Sequence, residues 1–162
     1  MRTAKDDEDR KKLWTARKRA FGALGLLAPN YMTQDGTVPR SPLPKMLRFI
    51  GEVSKKYDIP IANVFHAGDG NLHPIVLFDK RDSDQVERVH MVNKEILQAC
   101  VDAGGTISGE HGIGVEKQEF MPLIFSEEDI DFMVTIRNIF NPKQLCNPKK
   151  IFPIDKTIEI TP

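Results

Sequence analysis

One eight-residue stretch constrains this chain more than any other: His66-Ala67-Gly68-Asp69-Gly70-Asn71-Leu72-His73. Val64-Phe65 leads into it and Ile75-Val76-Leu77-Phe78 follows, so two apolar runs flank a glycine-rich turn. Asp-Gly between strand-like runs is a strong hairpin signal, because a type I′ turn needs positive φ at both central residues. With Asp69-Gly70 in those positions, the expected register sets Gly68 opposite Asn71, Ala67 opposite Leu72 and His66 opposite His73. Directly opposed residues share one face, with Cβ atoms about 4.5–5.5 Å apart. Two imidazoles that close can hold one metal ion, although a lone histidine in a strand more often only packs or faces water.

The 162 residues suffice for one domain with a real core, expected over 1–162. Lys and Arg number 23 against 23 Asp and Glu, so no basic excess points to nucleic acid or an anionic membrane. No apolar run reaches the roughly 18 residues of a membrane helix, and the N-terminus reads as a charged helix rather than a signal peptide. Cys100 and Cys146 lack a Cys-x-x-Cys spacing and read as reduced thiols, which makes the expected setting cytoplasmic. The helical pattern begins almost at once, as though the chain were cut from something longer.

Periodicity then orders the chain. Residues 6–27 read as a helix with Leu13, Ala16, Ala20, Leu24 and Leu27 on one stripe. Arg17 sits inside that stripe, either snorkelling to water or aimed at an anion. A strand is expected within 31–38, interrupted at Gln34-Asp35-Gly36. A helix follows from Ser41 as cap and Pro42 as first residue, with Leu43, Met46, Leu47, Ile50 and Val53 inward. After the hairpin, a helix opens at Asp82 or Ser83 and stops at Gly104-Gly105, with Val89, Val92, Ile96, Ala99 and Ala103 facing the core. Thr106-Ile107-Ser108 is a short strand candidate, and Ser126-Glu127-Glu128-Asp129 opens a last helix. The order β, α, β, β, α, β is that of a ferredoxin-like split βαβ unit, an antiparallel sheet with flanking N- and C-terminal helices. The expected class is α+β.

Glu110 and His111 occupy a Gly-Glu-His-Gly turn just after the last strand candidate. Flanking glycines let backbone run close to a ligand, although an ordinary solvated turn has the same composition. If Glu110 reaches the two histidines, two imidazoles and one carboxylate suit zinc, manganese or iron. His111 would then stand beside the metal as a general base. His90 falls on the polar side of its helix.

Taken in order, Trp14-x-x-Arg17, Asp35-x-x-Val38-Pro39, His66-x-Gly-Asp-Gly-Asn-Leu-His73, Ser108-Gly-Glu-His-Gly-Ile-Gly114 and Asn147-Pro148-x-Lys150-Ile-Phe-Pro153 resemble the C-terminal domain of FAD-linked oxidases. That group includes glycolate oxidase flavin subunits and the D-lactate and D-2-hydroxyglutarate dehydrogenases, and the likeness is greatest to the glycolate oxidase type. The resemblance implies that His66, His73 and Glu110 bind a divalent metal, zinc or manganese. It implies that His111 binds substrate and takes its hydroxyl proton, that Arg17 grips the substrate carboxylate, and that Asn147 lies near FAD. The implied partners are an FAD-binding domain or subunit, met by an irregular tail at 143–162, and a small 2-hydroxy acid. An iron–sulfur electron-transfer subunit, a peripheral place at the inner membrane through partner subunits, and self-association through the exposed domain interface are compatible with it.

Two departures stand out. Nothing in the chain resembles the FAD-binding domain, so the expectation is a fragment, a truncated product or half of a split enzyme, inactive alone. Lys149 also replaces the glycine of the usual Asn-Pro-Gly-Lys. The rival readings are a stand-alone metal-binding module of ferredoxin-like fold and a metallohydrolase.

Overall fold

A computed structural model of the chain describes residues 3–153. Its elements are helix α1 (Asp7–Leu24), strand β1 (Asn30–Thr33), helix α2 (Leu43–Tyr57), strands β2 (Ile61–His66) and β3 (Asn71–Phe78), helix α3 (Ser83–Asp102), a 3₁₀ helix (Gln118–Leu123) and helix α4 (Glu127–Phe140). The strands form one antiparallel sheet in the order β1-β3-β2. Sheet and helices together make the α+β class expected from the sequence.

Pleating sends alternate residues of the central strand β3 to opposite faces. Leu72 and Val76 join Met46, Ile50 and Val53 of α2 and Val89, Val92 and Ile96 of α3 in the main core. Both helices therefore lie on one face. His73 pairs with Val64, so His73, Val64 and His66 point to the other.

The hairpin register differs from the expected one. His66 stands opposite Asn71, not opposite His73. The connection has four residues, 67–70, closed by the Asp69 and Gly70 N–H groups donating to the His66 carbonyl at 3.1 and 3.0 Å. Of Asp69 and Gly70, only the glycine has positive φ, 74°, so the two do not make a type I′ turn. A Cβ on Gly70 would also lie 1.9 Å from the Val38 carbonyl oxygen. Because the shift is two residues, every side chain keeps its face. The two histidines become diagonal neighbours.

The strand expected at 106–108 is reduced to one bridge, Thr37–Thr106, on the edge that continues β1. The reason lies just beyond it: the N–H groups of Gly109, Glu110 and His111 turn to the Asp35 side chain and are lost to any ladder. Helix caps mostly follow the sequence. Asp6 caps α1, Asp82 caps α3, and Ser126 with Asp129 makes a capping box on α4. At α2 the expected Ser41 cap is replaced by Pro42, which has no side-chain bond to give, with Pro44 in the first turn.

Helix α1 buries none of its residues, so the stripe read as a core face stays uncovered among the described residues. No described helix is long and apolar enough to cross a membrane. After α4 the chain is irregular but anchored. Ile151 N–H donates to the Gly114 carbonyl at 2.7 Å, and the Gln118 side-chain amide donates to the carbonyls of Lys149 and Phe152, both at 2.9 Å. Phe152 packs with Met121 and Ile130. Of the tail anticipated at 143–162, residues 154–162 lie outside the described residues.

Candidate active site

His73 leaves the centre of the sheet on the face away from α2 and α3. Its ring is almost wholly buried, with the side chain 5 % exposed. Nδ1 lies 3.2 Å from the backbone carbonyl of Gln34. A carbonyl only accepts, so Nδ1 carries a proton and the other ring nitrogen is turned to the site. That nitrogen, Nε2, lies 3.0 Å from Glu110 Oε1.

Glu110 and His111 come from the loop after the Thr37–Thr106 bridge. Glu110 Oε1 lies 3.6 Å from His66 Nε2 and 3.9 Å from His111 Nε2. The His111 ring stacks on His73, with centroids 4.9 Å apart and planes 13° apart, while His66 meets His73 edge-on at 5.3 Å. Three imidazoles thus converge on one carboxylate. Gly109 is what lets the loop come so near, since a Cβ there would lie 2.6 Å from Thr37 Oγ1 and 2.7 Å from Asn71 side-chain atoms.

Under this group lies Asp35, fully buried. Its carboxylate accepts from Ser108 Oγ at 2.7 Å, from the N–H groups of Gly109, Glu110 and His111 at 3.0, 3.1 and 2.8 Å, and from Lys117 Nζ at 3.2 Å. Burial alone would raise its pKa. The Ser108 hydroxyl, the His111 and Glu110 amides and the Lys117 ammonium outweigh burial and hold it well below the usual carboxylate range. Burial pushes the Lys117 ammonium down, and Asp35 partly restores it.

Asp35, His73, Glu110 and His111 offer ligand atoms within 4.8 Å of one another. Asp35 is nevertheless a poor ligand, because its oxygens are already surrounded by donors. That leaves Glu110, His73 and His111, with His66 outside this mutually close group but 3.6 Å from Glu110; a carboxylate and imidazoles are a donor set that zinc or manganese accepts. Ligands of a tetrahedral zinc at ordinary bond lengths stand about 3.4 Å apart. The separations from Glu110 to His73 and His66, 3.0 and 3.6 Å, bracket that value, and that to His111, 3.9 Å, exceeds it.

The fold therefore brings together four residues singled out in the sequence: His66, His73, Glu110 and His111. The other two stand apart. Arg17 is half-buried on α1, and no hydrogen bond or ion pair joins it to the cluster among the described residues. Asn147 is exposed in the tail with φ 44°. Asp35 and Lys117 were not singled out as site residues. Asp35 carries two signals in the sequence, a charge interrupting a strand-like run and its place in the Asp35-x-x-Val38-Pro39 motif, and Lys117 carries none. Next to His111 a cleft of about 250 Å³ is lined by Thr33, Gly112, Ile113, Lys117 and Lys150, among others.

The family model for the C-terminal domain of FAD linked oxidases matches residues 1–151. The chain is 44% identical over 153 residues to glycolate oxidase subunit GlcD of Escherichia coli (strain K12), covering 94% of this chain and 31% of that protein. It is 40% identical over 155 residues to GlcD of Bacillus subtilis (strain 168), covering 96% and 33%. It is 34% identical over 164 residues to a probable mitochondrial D-lactate dehydrogenase of Danio rerio, covering 95% and 31%. The chain spans about a third of the length of these curated relatives.

Proposed function

The chain belongs to the C-terminal domain family of FAD-linked oxidases, and from that premise we propose that it is the substrate- and metal-binding domain of a flavin-dependent 2-hydroxy-acid dehydrogenase or oxidase of the glycolate or D-lactate type. The observation that carries this reading is the convergence of His66, His73 and His111 on Glu110 at 3.0–3.9 Å. His66, His73 and Glu110 would hold a divalent zinc or manganese ion. Bound FAD would supply the acceptor for the substrate's electrons, and the metal a positive charge beside the substrate's oxygens.

This chain's own residues divide the remaining work by exposure. His73 is buried and fixed in one tautomer by Gln34, which suits a ligand. The His111 side chain is 45 % exposed, so a substrate hydroxyl can reach Nε2 and leave its proton there. Arg17 remains the proposed grip on the substrate carboxylate, and Asn147, exposed in the tail, the proposed contact to the flavin. The FAD-binding domain would cover the outer stripe of α4, where Phe132, Ile139 and Phe140 are 67 %, 68 % and 84 % exposed. Such an assembly would work in the cytoplasm, peripheral to a membrane only through partner subunits.

The test is reconstitution. Mixing the chain with a separately produced FAD-binding portion of a close relative should give dye reduction that depends on a D-2-hydroxy acid. His111→Gln should abolish it while leaving assembly intact. Full activity with His111→Gln removes that residue as the proton acceptor. Absence of hydroxy-acid oxidation in a mixture that does assemble rejects the reading.

A further inference from the structure

We propose that Asp35 is the positioning residue for Glu110 and His111: a buried carboxylate around which the 108–112 turn is folded, so that both side chains are aimed at His73. The inference deepens the proposed function and rests on it for the roles of Glu110 and His111. It concerns a residue that itself touches neither substrate nor metal.

The geometry is that of an anion nest filled from within. Successive backbone N–H groups in a tight turn form a concavity that binds anions. Here the N–H groups of Gly109, Glu110 and His111 close on Asp35 Oδ2 at 3.0, 3.2 and 2.8 Å. Ser108 Oγ donates to the same oxygen at 2.7 Å and accepts from Gly112 N–H at 2.9 Å, which closes the turn at its far end. Gly109 N–H is shared with the Asp35 backbone carbonyl at 2.8 Å.

Charged acceptors make hydrogen bonds roughly twice as strong as neutral ones. No strand ladder competes, since this segment contributes only the single Thr37–Thr106 bridge. The conformation that carries Glu110 and His111 is thus fixed by one side chain far away in sequence. The same segment fixes the other half of the site, because the Gln34 carbonyl holds His73 Nδ1. Two adjacent residues just after β1, Gln34 and Asp35, therefore set the orientation of every group around Glu110 except His66.

Lys117 supplies the counter-charge, 3.2 Å from Oδ2 with its side chain 5 % exposed. A purely structural role for Asp35 would consist of that ion pair. The positioning role consists of the amide bonds. The two separate when both charges are removed together.

The experiment compares the wild-type chain, Asp35→Asn and Asp35→Asn/Lys117→Met. The asparagine places an NH₂ donor against N–H donors, while the methionine removes the stranded cation. Zinc affinity is measured by competition with a chromophoric chelator. The His73–His111 ring contact is read as a nuclear Overhauser effect between their ring protons. Replacing a residue that orients a metal ligand typically lowers metal affinity about 10–100-fold.

The expected result is a loss of at least about tenfold in zinc affinity and disappearance of the ring contact in both variants, even where the double variant regains thermal stability. A folded double variant with wild-type affinity and an intact ring contact overturns the proposal. Should neither variant fold, Ser108→Ala decides: a severalfold weaker affinity with a diminished ring contact supports positioning, and unchanged values overturn it. A wild-type chain that takes up no zinc would reject the metal assignment of the proposed function. The ring contact would still decide the role of Asp35.

Discussion

His73 and His111 lie face to face, ring centroids 4.9 Å apart, yet one side chain is 5 % exposed and the other 45 %. One ring is held inside the sheet by the Gln34 carbonyl and the other reaches the surface on a loop. Identical side chains thus meet with different access to solvent, which is what a fixed ligand and a mobile-proton acceptor each require.

Metal content should follow distance to Glu110. The purified chain is expected to carry close to one divalent ion by elemental analysis. His66→Ala/His73→Ala should carry none, and retention in that variant would remove the pair as ligands. Singly, His73→Ala should lose more affinity than His66→Ala, since His73 lies 3.0 Å from Glu110 Oε1 and His66 3.6 Å.

Acid should uncouple Asp35 from the fold. Its pKa is depressed in the folded chain, so the folded state binds its proton less readily than the unfolded one. The stability it contributes is fully present above the ordinary carboxylate pKa and is lost as pH falls towards the folded value. At neutral pH, Asp35→Asn strands the Lys117 cation and should cost about 3–5 kcal/mol. Urea titrations of both proteins at decreasing pH should show that gap narrowing. A gap that widened in acid would contradict the assignment.

Lys149 should be improvable. It has φ 58°, where a Cβ crowds the carbonyl and an L-residue pays roughly 1–2 kcal/mol that glycine avoids. Lys149→Gly is therefore expected to stabilise the chain by about 1 kcal/mol in thermal denaturation, the glycine's greater freedom when unfolded offsetting part of the gain. Destabilisation would mean that the lysine side chain has a role of its own.

The outer stripe of α4 should govern association. Phe132, Ile136, Ile139 and Phe140 recur at helical spacing and are 42–84 % exposed. In sedimentation velocity the isolated chain should self-associate, and Phe132→Ser/Ile139→Ser should shift it towards monomer. The same variant should bind an FAD-binding domain more weakly. Unchanged behaviour in both assays would free this face of either role.

Local pattern was enough to make several features legible in the residues themselves. Glu110 and His111 were assigned to the histidine pair only through the family resemblance, whereas alternation and periodicity identified the helices, the α+β class and the hairpin that sets His66 and His73 on one face. These rest on interactions between near neighbours, where pleat and helical turn impose a fixed period. The hairpin register was off by two residues, yet the site survived, because an even shift preserves the face.

Only the tertiary structure decided how the site is held. Asp35 meets Ser108, Glu110, His111 and Lys117 across 73–82 positions of sequence, and no periodicity reaches that far. The lost fourth strand has the same origin, since its following amides bind a carboxylate instead of a neighbour. The stripe on α1 reads in sequence as a core face and stays uncovered among the described residues. Amphipathicity says that a face can be buried, but only the surrounding chain determines what is there to bury it.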